Sequence, residues 1–92
     1  MIEKKVKITN KHGLHARPAA KLVQLAGKFK SDITIVKDGL EVNGKSIMGV
    51  MMLAAEPGSE ILLKVNGEDE QQAIDALLNL IRNGFDEEND EN

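Results

Sequence analysis

The chain has 92 residues, 41% of them hydrophobic and 29% charged, the scale and balance of one small soluble domain rather than two. It holds no cysteine, which excludes disulfides and thiolate metal sites. Its net charge of −3 is uneven, because five of the 15 acids fall in residues 86–92 and leave 12 Lys and Arg against 10 acids, a net +2, in residues 1–85.

Ile2-Glu3-Lys4-Lys5-Val6-Lys7-Ile8 alternates in part, with Val6 and Ile8 on one face and Lys5 and Lys7 on the other, and predicts a first strand. Thr9 to Leu14 reads as a loop, and Gly13 permits a turn that a β-carbon would resist. From Ala19 the apolar residues recur at Leu22, Val23 and Ala26, the spacing of one helix face, so a helix is predicted from about Ala16 to Gly27. Asp32 to Lys37 is β-branched and apolar, Asp38-Gly39 is a hairpin dipeptide, and Leu40 to Asn43 alternates as the returning strand. Ser46 to Leu53 predicts a short helix with Ser46 as N-cap, weakened by Gly49. Glu56 to Ser59 is a turn, and Glu60 to Val65 a fourth strand. Asn66 to Asp69 turns into a last helix over about 69–82, with Ala73, Ile74, Leu77, Leu78 and Ile81 on one face and Asn83-Gly84 as its cap. The acidic end, residues 86–92, is expected to be a disordered tail beyond a single domain of residues 1–85.

The predicted order is β-α-β-β-α-β-α. It fits an α/β (α+β) open-faced sandwich, with a four-stranded, mostly antiparallel sheet and three helices on one face. A chain this short buries roughly 60–65% of its unfolded surface. That favours a surface site serving protein partners over a deep enclosed one. No basic stripe carries interleaved aromatics, so nucleic-acid binding is not favoured. The longest apolar run is far short of a membrane span, no secretion signal is visible, and a cytoplasmic monomer is the simplest expectation.

The chemistry concentrates in Gly13-Leu14-His15-Ala16-Arg17-Pro18-Ala19-Ala20. The pattern puts His15 at or just before a helix N-terminus, whose partial positive charge and leading N–H groups suit an anion, phosphate above all. Ala16, Arg17 and Pro18 make that first turn, and Arg17 can add a planar fork of charged donors. A nucleophilic imidazole there would have a phosphate cradle beside it. By itself, however, a histidine here can also be a plain N-cap, Arg17 a solvated charge, and Ser46 only a helix cap. His12 and His15 lack a third ligand, so no metal is expected and His12 reads as a loop histidine.

Gly13 to Ala20, followed by Gly44-Lys45-Ser46-Ile47-Met48-Gly49-Val50-Met51, resembles the HPr family of phosphocarrier proteins in the bacterial phosphoenolpyruvate-dependent sugar phosphotransferase system. The resemblance runs from Ile2 to about Phe85. It implies the fold described above and a phosphoryl group carried on Nδ1 of His15, stabilised by Arg17. It implies enzyme I as the donor, IIA proteins or domains of sugar permeases as acceptors, no cofactor, and a stoichiometric carrier rather than an enzyme. Ile47 and Met48 are implied partner contacts; Met51, and Ala16 and Ala20 beside His15, are expected to join them, while Val50 and Leu53 are core candidates. The resemblance further implies Ser46 as a target of an ATP-dependent HPr kinase/phosphorylase, with a catabolite-control regulator downstream. Two alternatives stay open: a carrier of the nitrogen-related phosphotransferase branch, and a regulatory binding module that acts only through its phosphorylated serine.

Overall fold

The computed structural model describes residues 1–89. Its elements are β1 (Ile2–Lys7), α1 (Ala16–Ala26), β2 (Asp32–Lys37), β3 (Leu40–Asn43), α2 (Ile47–Met52), β4 (Glu60–Asn66) and α3 (Glu70–Arg82), with a 3₁₀ element at Gly84–Asn89. The order is the predicted β-α-β-β-α-β-α. The sheet runs β1-β4-β2-β3, and every pairing in it is antiparallel.

Register follows from the alternation of apolar residues. Val6 pairs with Ile61, Ile33 with Val65, Ile35 with Leu63, and Ile35 also with Val42. Directly paired residues point to the same face, so these seven strand positions from four strands make one continuous apolar surface. All are buried. Pro18, Ala19, Leu22 and Ala26 of α1, and Ala73, Ile74, Leu77, Leu78 and Ile81 of α3, cover that surface. Lys5, Lys7 and Glu41 lie on exposed strand positions. One face of the sheet is therefore core and the other is largely polar.

Two helix ends are held by contacts other than the usual caps. Gly27 caps α1 in the right-handed region, with φ −65, so a left-handed glycine does not stop the helix. The last turn instead tightens through Lys28 N–H to the Leu25 carbonyl and Phe29 N–H to the Ala26 carbonyl. Asp69, at the N-cap of α3, makes no side-chain cap bond. Its carboxylate reaches across to the turn before β2, where it accepts from the Lys30 and Ser31 N–H groups and, at 2.6 Å, from the Ser31 hydroxyl. Gly84 follows α3 with φ 65, as the Asn83-Gly84 cap predicts.

The domain boundary expected at residue 85 falls inside the 3₁₀ element. Phe85 has a left-handed backbone (φ 59) and a fully buried side chain. Its carbonyl accepts from Lys21 Nζ at 2.8 Å, which ties this end of the chain to α1. Residues 90–92 of the expected acidic tail lie outside the described residues.

Candidate functional site

The site begins with the loop between β1 and α1. Gly13 is buried and has φ 72; a β-carbon there would collide with the Ala55 carbonyl oxygen. Only glycine accommodates both the left-handed backbone and this close approach. The Asn10 side-chain amide donates to the Gly13 carbonyl at 2.8 Å, and the Leu14 N–H donates to the Ala55 carbonyl at 2.8 Å. Leu14 is buried in the core. The residue before His15 is thus anchored by its side chain and its backbone together.

His15 is the N-cap of α1, in extended conformation (φ −80, ψ −173), and is exposed. Its carbonyl accepts the first helical bond, from Ala19 N–H at 3.0 Å, while its ring makes no cap bond to the helix. Ala16 and Arg17 follow as exposed residues, and Pro18 turns inward. Pro18 has no N–H, so the N–H groups that head α1 are those of Ala16 and Arg17. The first turn contains no acid to neutralise the positive end of the helix. The His12 ring stands edge-on to the His15 ring, with centroids 5.5 Å apart and planes at 84°. Among the described residues, no group of three His, Cys, Asp or Glu is placed to hold a metal ion.

The second part of the site is α2, which packs against α1. Ser46 caps it as its sequence predicts: Gly49 N–H donates to Ser46 Oγ at 3.1 Å, and Val50 N–H to the Ser46 carbonyl at 2.9 Å. Lys45 does not extend into solvent; its Nζ donates to the Phe29 carbonyl at 2.8 Å. Val50 and Leu53 are buried, as expected. Ile47 and Met51 are about two-fifths exposed, at 41% and 42%, and Met48 reaches 75%. Ala20 is half-buried on α1, one turn beyond Ala16.

Four features of the site go beyond the sequence reading. Met52 is 65% exposed and extends the apolar surface of α2. Gly49 is more than a weak helix residue, because a β-carbon there would press to 3.3 Å against both Ser46 Oγ and Val42 Cβ. Asn10 braces the loop, and an Asn three residues before a glycine was the available signal. Ala54 has a left-handed backbone (φ 49), for which an alanine carries no signal.

A family model described as "PTS HPr component phosphorylation site" matches residues 2–83. The chain is 55% identical over 87 residues to the phosphocarrier protein HPr of Cupriavidus necator, covering 95% of this chain and 98% of that one. It is 52% identical over 77 residues to the HPr-like protein Crh of Bacillus subtilis, covering 84% and 91%. Among solved structures, the crystal structure of HPr-C-His from Thermoanaerobacter tengcongensis superposes with a TM-score of 0.91 at 50% identity, over 94% of this chain and 97% of that one. The family match spans residues 2–83 and the likeness in sequence and fold covers nearly the whole chain, so the chain belongs to the HPr family of the phosphotransferase system.

Proposed function

We propose that this protein accepts a phosphoryl group on His15 from phospho-enzyme I and passes it to IIA components of sugar permeases. The observation that carries this reading is the seating of an exposed imidazole at the acid-free N-terminus of α1, next to Arg17. A ring nitrogen attacks phosphorus, a P–N bond forms on His15, and the bond from phosphorus to the donor breaks. The helix N-terminus and the Arg17 guanidinium stabilise the charge on the phosphoryl oxygens. The phosphoramidate is reactive enough for the group to move on to the next acceptor. The larger partners supply most of the transition-state stabilisation, so the protein acts as a stoichiometric carrier. An exposed site on a small core suits that role, since the partners must reach it one after the other. Ile47, Met48 and Met51, with Ala16 and Ala20, form the docking rim.

Ser46 supports a second layer of control through an ATP-dependent HPr kinase/phosphorylase and a catabolite-control regulator. A phosphate on its hydroxyl would add negative charge at the edge of the α2 face and weaken enzyme I docking. The likeness to Crh, the Bacillus subtilis catabolite repression HPr, supports a link to catabolite control, while the presence of His15 favours the carrier over a module that works through the serine alone.

The test is labelling of the purified protein with enzyme I and radiolabelled phosphoenolpyruvate. One acid-labile label that is absent from His15→Ala and chases onto a IIA protein is the expected result. Undiminished labelling of His15→Ala overturns the assignment. Labelling by the nitrogen-branch enzyme I alone would move the protein to that branch.

A further inference from the structure

All four methionines of this cysteine-free chain are exposed, and three of them, Met48, Met51 and Met52, sit on the single six-residue helix α2. They are 75%, 42% and 65% exposed. We infer that the methionine thioethers of α2 are an oxidation site for small hydroperoxides, and that sulfoxide formation there switches off the docking face. The inference rests on the docking role of α2 given above.

The chemistry follows from exposure. A thioether sulfur attacks the outer oxygen of hydrogen peroxide; an S–O bond forms and the O–O bond breaks. Sulfur loses two electrons, and the departing hydroxide leaves as water once it has taken the released proton. The product is a polar, chiral sulfoxide where an adaptable apolar side chain stood. With no thiol in the chain, these sulfurs have no faster competitor for peroxide.

The placement separates the switch from the fold. Val50 and Leu53 are buried and hold α2 to the core, and Ser46 caps its start, whereas Met48, Met51 and Met52 are exposed. Oxidation therefore alters the outer surface of α2 and leaves its attachment intact. Met48, as the most exposed, should oxidise fastest, and Met51 slowest.

The test is to treat the full-length protein with hydrogen peroxide, map sulfoxides by mass spectrometry, and measure enzyme I-dependent phosphorylation before and after. The same ratio is taken for a variant carrying Met48→Leu, Met51→Leu and Met52→Leu, which keeps an apolar surface and removes the sulfurs. For the natural sequence, a roughly tenfold rise in the concentration needed for half-maximal phosphorylation is expected. A thermal melt within a few degrees of the untreated protein should accompany it, as should recovery after methionine sulfoxide reductase treatment. The variant's ratio should stay near one. Full oxidation without change in phosphorylation, an equal loss in the variant, or collapse of the thermal transition each overturns the switch. If the untreated protein takes no label, the carrier reading itself falls, and the switch with it.

Discussion

The Leu14 N–H donates to the Ala55 carbonyl oxygen at 2.8 Å, linking the residue before His15 to the chain just beyond α2. Two segments 41 residues apart in sequence thereby share one backbone bond, and Gly13 is the residue that lets them approach.

Gly13→Ala is expected to destabilise the protein by about 2 kcal/mol, because the new methyl meets a backbone carbonyl in a left-handed conformation. It should also slow phosphorylation of His15 by shifting the start of α1. Urea unfolding and a transfer assay on the same preparation measure both effects. Unchanged values in the two assays would show that the loop tolerates the methyl.

Arg17→Lys is expected to slow phosphoryl transfer by roughly tenfold while leaving stability within about 0.5 kcal/mol. A lysine keeps the charge but not the planar fork that two phosphoryl oxygens can share. Single-turnover rates to and from His15 are the measurement. Equal rates would return Arg17 to the status of a solvated surface charge.

Ser46→Ala should cost about 1 kcal/mol, the usual value of an N-cap whose oxygen accepts a backbone N–H. Ser46→Asp should keep most of that stability, since aspartate also caps, but should weaken enzyme I docking by adding charge beside Ile47 and Met48. Thermal melts and enzyme I titrations of the two variants separate capping from docking. A Ser46→Asp variant that docks as well as the natural protein would count against control through charge at this position.

The Asp69 carboxyl is held below its usual range, chiefly by the Ser31 hydroxyl and then by the Lys30 N–H. A depressed value in the folded state means stabilisation that is present at neutral pH and lost as pH falls through the folded value. Asp69→Asn should therefore be less stable at neutral pH and should lose less stability on acidification between about pH 5 and pH 2. Urea midpoints across that range test it. Parallel curves for the two proteins would remove Asp69 from the acid response.

Local pattern in the sequence, namely periodicity, β-branching, turn dipeptides and caps, determined the four strands and three α-helices but not the 3₁₀ element; a period of two at Ile33 and Ile35, or of three and four along Ala73 to Ile81, states which face is buried. It also placed His15 at the start of a helix and Ser46 as a cap, since both positions follow from local backbone chemistry. What tertiary structure decided lies in contacts between distant segments. Asp69 reads in sequence as part of the turn into the last helix, yet its carboxylate accepts two N–H groups and a hydroxyl at residues 30–31, far off in the chain. Gly13 reads as a turn glycine, and only the approach of Ala55 shows that its missing β-carbon makes room for a backbone bond. Met52 reads like Met51 in sequence; the packing of α2 through Val50 and Leu53 leaves both outside. Local pattern sets which conformations are favoured along the chain, whereas these details depend on which carbonyls, donors and side chains folding brings within reach.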